Sequence, residues 1–175
     1  ERYRGTYRGG WDAMRTSRHE EQKGLGILDS KWAISARERG IPAWEDADNQ
    51  EWRDVQMATY AAQVEQLDRG IGQVLDTLQQ NGAMDDTIIM FMSDNGGCAE
   101  FLQEDTNYPD PSRYIHPTVD GRMVRVGNTP DIEPGPPDTF ASVDIAWANA
   151  SNAPFRLFKR YTHEGGISTP FIAHW

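Results

Sequence analysis

The strongest constraint on how this chain can fold is an apolar run that stops abruptly on polar oxygens. Thr87-Ile88-Ile89-Met90-Phe91-Met92 is followed at once by Ser93-Asp94-Asn95-Gly96-Gly97. An unbroken run with β-branched and aromatic members suits a strand covered on both faces, so a buried strand is predicted over Thr87–Ser93. Its polar end then falls at a carboxyl edge, where open α/β sheets bind ligands. Asp94 and Asn95 offer hard oxygen donors of the kind calcium and magnesium take. Gly96 and Gly97 let the backbone turn and leave room for a bound group. The plain alternative is a strand closed by an ordinary Asx turn, and the stretch by itself does not choose between them.

What precedes the strand is a long helix. From about Gln50 to Gln80, Ala61, Val64, Leu67, Ile71, Val74, Leu75 and Leu78 recur at helical spacing. Asp48 or Asn49 is placed to cap the start, and Asn81-Gly82 supplies the stop. Gly70 and Gly72 each weaken such a helix by about 1 kcal/mol relative to alanine, so their expected use is close packing against a sheet. Asp68, beside the apolar stripe, reads as structural. Helix, the turn Ala83-Met84-Asp85-Asp86 and a buried strand make half of a βαβ unit.

The remaining signals are weaker. Residues 1–12 are rich in Arg, Gly and Tyr and irregular. Ala13 to Gly24 reads as an exposed helix whose charges form a solvated face, with Gly24 and Gly26 at its end. Residues 25–49 read as a loop with a short helix, and Trp32, Trp44 and Trp52 as packing residues. Residues 98–150 hold Pro109, Pro111, Pro117, Pro130, Pro134, Pro136 and Pro137 and are predicted to be a long irregular loop overhanging a pocket. Within it, Val119–Val126 reads as a short hairpin around Gly121, and Val143–Trp147 as a strand or a helical turn. Asn149-Ala150-Ser151 matches a glycosylation triplet. Residues 152–175 gather Arg156, Lys159, Arg160 and His163, then the loop Glu164-Gly165-Gly166, then a strand after Pro170.

Charge narrows the partners. The net charge of −10 argues against nucleic acid as a bulk partner. An anionic small substrate needs a local basic cluster, and residues 156–163 supply one. No run approaches the roughly 18 apolar residues of a membrane span. Cys98 is the single cysteine, so no internal disulfide forms. The chain opens in mid-pattern and closes inside a strand-like run, and is expected to be a piece of a longer protein.

Taken together, two segments resemble the sulfatases of the alkaline phosphatase superfamily, the bacterial arylsulfatases in particular. One is the strand ending Ser93-Asp94-Asn95-Gly96-Gly97. The other is Asn152-Ala153-Pro154-Phe155-Arg156-Leu157-Phe158-Lys159-Arg160-Tyr161-Thr162-His163-Glu164-Gly165-Gly166-Ile167-Ser168-Thr169-Pro170. Tyr3-Arg4-Gly5-Thr6-Tyr7, Gly10-Trp11-Asp12 and Pro134-Gly135-Pro136-Pro137 are similar as well. The resemblance covers essentially the whole chain. It implies an α/β fold, here the C-terminal part of a catalytic domain built on a mixed sheet between helices. It also implies hydrolysis of sulfate monoesters, small-molecule or glycan, by the intact protein. Asp94 and Asn95 match ligands of a divalent cation, usually calcium, with magnesium possible. Lys159 matches the lysine that reaches the sulfate. His163 falls at a variable position and reads as a supporting or substrate-side residue. A periplasmic or secreted location is implied.

The departures from the family pattern carry equal weight. The family's nucleophile is a formylglycine made from Cys or Ser in a Cys/Ser-x-Pro/Ala-x-Arg motif, and it is expected upstream of this segment. Cys98 is followed by Ala99-Glu100-Phe101-Leu102 and does not qualify. Pro109-Asp110-Pro111-Ser112-Arg113 has the right tail but a proline where the nucleophile belongs. The family's other acidic ligands and its proton-donating histidine also lie before the matched region. The 175 residues alone are therefore expected to be inactive and to bind metal weakly, since calcium takes six or more oxygens. A phosphonate or phosphate monoester hydrolase of the same superfamily, a catalytically dead binding protein and a plain structural fragment remain the alternatives.

Overall fold

A computed structural model describes residues 1–102 and 116–175. Helices dominate, joined by two small sheets. In chain order they are α1 (Gly10–Gly24), α2 (Gln50–Gln80), β1 (Ile89–Met92), β2 (Arg125–Val126), β3 (Thr139–Phe140), α3 (Asp144–Ser151), the one-turn α4 (Glu164–Ile167) and β4 (Phe171–His174). Short 3-10 turns at Trp44–Asp46 and Met84–Asp86 precede α2 and β1. The architecture is a mixed α/β one.

The core is aromatic. Trp11, Trp44 and Trp147 are buried and meet edge to face or tilted, with centroids 4.7 Å apart for Trp11–Trp44 and 5.5 Å for Trp11–Trp147. Tyr7 closes the group against Trp147 at 5.9 Å. Each indole N–H has an acceptor, which burial of a tryptophan demands. Trp11 donates to the Pro42 carbonyl, Trp44 to that of Arg8 and Trp147 to that of Arg53. Gly10, at φ +78°, is needed here, because a Cβ would sit inside the Trp44 ring. The core thus ties α1, the Trp44 turn, the start of α2 and α3 into one unit. The carboxylate of buried Asp54 adds the N-terminal turn by accepting the Gly5 and Tyr7 N–H groups, both at 2.7 Å.

α1 differs from the solvated helix that its charges predict. Trp11, Arg15 and His19 fall on one face and are all buried. Arg15 donates to the Ser35 carbonyl at 2.8 Å, and His19 Nε2 lies 2.9 Å from the Trp32 carbonyl. Counting charge misreads such a face, because long polar side chains bring their own partners inside. Trp32 itself is exposed rather than packed, whereas Trp44 is buried and Trp52 donates its N–H to the Ile132 carbonyl.

α2 ends as its sequence predicts. Gly82 takes φ +64°, its N–H reaches the Gln79 carbonyl, and Ala83 N–H reaches that of Leu78 at 2.9 Å. These are the paired bonds of a Schellman cap. The start is different: Asn49 is left-handed with no side-chain cap, and Asp48 pairs with Arg53 at 2.8 Å. Only the first turns of α2 are buried, through Asp54, Gln56, Met57 and Ala58. Val64, Leu67 and Val74 face outward, and nothing lies within 4 Å of a Cβ built on Gly70 or Gly72. The close packing expected of those glycines is not made by the described residues.

The strand predicted over Thr87–Ser93 also departs from expectation. β1 is short and largely exposed, pairing antiparallel with β4 from Ile89↔His174 to Met92↔Phe171. A two-stranded ribbon supplies no second layer, so neither face of β1 is covered among the described residues. The helix-turn-strand half of a βαβ unit is present as α2 and β1, and no strand precedes α2 among the described residues to complete it. The parallel pair is β2–β3, with Arg125↔Thr139 and Val126↔Phe140. In place of a hairpin around Gly121 there is a tight turn, in which Thr118 N–H donates to the Arg122 carbonyl at 3.0 Å. Val143–Trp147 belongs to a helix: Asp144 opens α3. Asn149 lies in α3 with 0% exposure, so the glycosylation triplet is sealed in the fold.

Candidate functional site

The two segments that the resemblance singles out are remote in sequence and bonded to each other in space. At the end of β1, Gly96 N–H donates to the Gly166 carbonyl at 3.0 Å. Gly97 N–H donates to Asn152 Oδ1 at 2.9 Å, and the Gly97 carbonyl accepts Lys159 N–H at 3.0 Å. Thr169 Oγ1 donates to the Ser93 carbonyl at 2.8 Å. Residues 93–97 are thus tied to 152–169 at Ser93, Gly96 and Gly97.

Glycines make the approach possible, by a different route from the one the sequence predicts. A Cβ on Gly96 would fall under 3.0 Å from the Gly165 carbonyl oxygen, and one on Gly165 would strike the Arg156 and Leu157 carbonyls. On Gly166 it would strike the Tyr161 carbonyl. The space beside Gly96 is therefore filled by backbone rather than left for a bound group. Glu164-Gly165-Gly166, read from sequence as a loop, forms the helical turn α4 with both glycines buried. Small residues here allow main chains to touch.

Two neighbouring segments support the site. Gln22 of α1 donates to the Ala153 carbonyl at 3.2 Å, and Ser35 N–H donates to that of Pro154 at 3.0 Å. The Ala153–Pro154 bond is cis. These contacts hang residues 152–158 from the aromatic core.

Each candidate side chain has a definite place. Asp94 is exposed, and its carboxylate has no hydrogen bond or ion pair with the described residues. Asn95 is half-buried and donates its amide N–H to the Gly96 carbonyl at 2.8 Å, which leaves its Oδ1 without a donor among the described residues. Ser93 Oγ donates to the Asn95 carbonyl and closes the turn. Two adjacent oxygen donors without protein partners fit part of a hard-cation site by their chemistry. Among the described residues no group of three or more His, Cys, Asp or Glu gathers around them to complete one.

Lys159 is exposed, with its backbone fixed on Gly97 and its ammonium without a partner among the described residues. His163 is exposed, and its carbonyl, not its ring, is used: it accepts Gly166 N–H at 2.7 Å to start α4. Arg160 lies over the Tyr161 ring at 5.5 Å. Cys98 is a free, half-buried thiol beside Gly97. Pro109-Asp110-Pro111-Ser112-Arg113 lies outside the described residues. A groove of about 710 Å³ between Arg4, Trp52, Val55, Pro130 and Glu133 includes none of the residues above and belongs to a different part of the surface.

Similarity to known proteins gives the chain's family. The family model for sulfatases matches residues 2–175. The chain belongs to the sulfatase family. It is 32% identical over 179 residues to an uncharacterized sulfatase of Schizosaccharomyces pombe, an alignment covering 99% of this chain and 30% of the relative. It is 29% identical over 176 residues to an arylsulfatase of Klebsiella aerogenes, covering 98% of this chain and 35% of that protein. The sulfatase chain therefore spans about a third of the length of these curated relatives. No helix among its described residues is long and apolar enough to cross a membrane.

One residue that joins the two segments is not apparent from the sequence. Asn152 was visible only as the first letter of a motif. Its amide bridges Gly97 and the Leu157 carbonyl, the latter at 2.9 Å. An asparagine directly after a short helix and ahead of Ala-Pro was the available signal.

Proposed function

We propose that the full-length protein is a sulfuric ester hydrolase of the arylsulfatase type, and that residues 93–97 and 152–169 form one wall of its active site. The observation that carries this reading is the backbone lacing of the Asp94-Asn95 turn to the Lys159 segment through Gly97. It holds two hard oxygen donors and a lysine on adjoining strands of chain.

The chemistry fits a sulfate ester. Such an ester carries negative charge on its non-bridging oxygens, and more gathers on the leaving oxygen as the S–O bond breaks. In this reading Asp94 and Asn95 contribute to the site of a divalent cation, calcium by preference, completed by donors beyond these residues. When bound, that cation stabilises the ester's charge as a Lewis acid. Lys159 presents a compact ammonium with three donors to the same oxygens. His163, four residues further on, borders the ester's entry. The formylglycine nucleophile of the family is part of the proposal and lies outside these residues.

An assay of the full-length protein on paired aryl sulfate, phosphate and phosphonate esters tests the reading. Sulfate release that exceeds phosphate and phosphonate release and is lost on chelation is expected. Preference for the phosphorus esters would transfer the protein to the other branch of the superfamily, and no turnover of any ester would leave a binding protein.

A further inference from the structure

We infer that Asn152 is a positioning residue that sets Lys159 against the Asp94-Asn95 turn. This rests on the reading of Lys159 given above and goes beyond it in naming what holds the lysine.

Gly97 is the junction between the two segments. Both of its polar backbone atoms are used across the site: its N–H goes to Asn152 Oδ1 at 2.9 Å and its carbonyl accepts Lys159 N–H at 3.0 Å. Asn152 then donates its Nδ2 to the Leu157 carbonyl at 2.9 Å, two residues before Lys159. These three hydrogen bonds and the covalent chain from Leu157 to Lys159 close a loop through Gly97, Asn152, Leu157 and Lys159. Gly97 stands two residues after Asn95, so this loop is the link between the turn and the lysine.

Two residues flanking Lys159 are left-handed. Leu157 sits at φ +66° and Arg160 at φ +86°, a region that side-chain-bearing residues avoid. Such conformations persist where the surroundings over-determine them. Asn152 supplies that constraint from a rigid base. It caps α3, where its own N–H donates to the Ala148 carbonyl, and Trp147, Ala148 and Ala150 of α3 are fully buried. Only an amide fits the role, because the position needs one acceptor for Gly97 and one donor for Leu157. Aspartate keeps the first and sets an oxygen against the second.

The test uses the full-length protein with Asn152→Asp, Lys159→Ala and the double variant. Turnover of an aryl sulfate is measured together with backbone hydrogen exchange over residues 156–160. Asn152→Asp is expected to lower kcat/KM roughly 10- to 100-fold and to speed exchange across 156–160 while α3 stays protected. In the Lys159→Ala background it is expected to have no further effect on turnover, since a residue that acts through the lysine has nothing left to position. If the aspartate variant does not fold, Asn152→Gln, with both functions one methylene further out, gives the same comparison. Equal losses in both backgrounds, or unchanged turnover and exchange, would overturn the inference. Unchanged turnover in Lys159→Ala alone would remove the lysine reading, and this one with it. A lysine effect without an asparagine effect would remove this one only.

Discussion

Full-length protein carrying Lys159→Ala is expected to lose roughly 10²- to 10³-fold in kcat/KM toward an aryl sulfate while melting at its normal temperature. Both halves of that expectation come from the geometry. The Lys159 ammonium is exposed and has no partner among the described residues, so its removal strands no buried charge. The fixed part of the residue is its N–H on the Gly97 carbonyl, which alanine keeps. Exposed substitutions of this kind usually fall within about 0.5 kcal/mol of neutral. The loss should therefore read on charge that develops at the ester oxygens. Lys159→Arg keeps the charge but spreads it over a planar fork, and should recover only part of the activity. A fall in melting temperature parallel to the fall in turnover would instead make Lys159 a structural residue.

Gly96→Ala has the opposite signature. The added methyl would overlap the Gly165 carbonyl, with Gly165 and Gly166 backbone atoms on the same side. Backbone cannot rotate away as a side-chain end does. To make room, α4 must move off the end of β1 and give up the Gly96 N–H bond to Gly166. Overpacking together with a lost buried hydrogen bond costs about 3–5 kcal/mol. Chemical denaturation of the full-length protein should show a midpoint shift of that size, with turnover lost beside it. Gly96 does not have a positive φ, so the cost comes from steric overlap and not from conformational preference. A near-neutral alanine would mean that the two segments are not in contact through this glycine.

Much of the local structure is legible in the residues, and its long-range use much less so. α2 can be read because a period near 3.6 persists over many turns and Asn81-Gly82 ends it. The buried face of α1 cannot, because Arg15 and His19 look like solvent charges until Ser35 and Trp32 are seen to receive them. β1 was recognisable as a strand from Ile89-Met90-Phe91-Met92. Which layers cover it depends on chain far away, and within the described residues only β4 is beside it. Asp94, Asn95 and Lys159 stood out by type and order. That Gly97 joins them through Asn152 did not, since the contact spans 55 residues. The glycines mislead in a useful way: Gly96 and Gly97 suggest space for a ligand, and the space is occupied by α4 and α3.

The turn after β1 is proposed to be half of a metal site working with the Lys159 segment. Calcium titration calorimetry on the full-length protein and its Asp94→Ala variant, with aryl sulfate turnover measured on the same samples, tests it most directly. Calcium affinity and turnover are expected to fall together in the variant, with the melting temperature of the metal-free protein unchanged. Calcium binding and turnover equal to those of the unaltered protein would contradict the claim and leave Asp94-Asn95 as an ordinary turn.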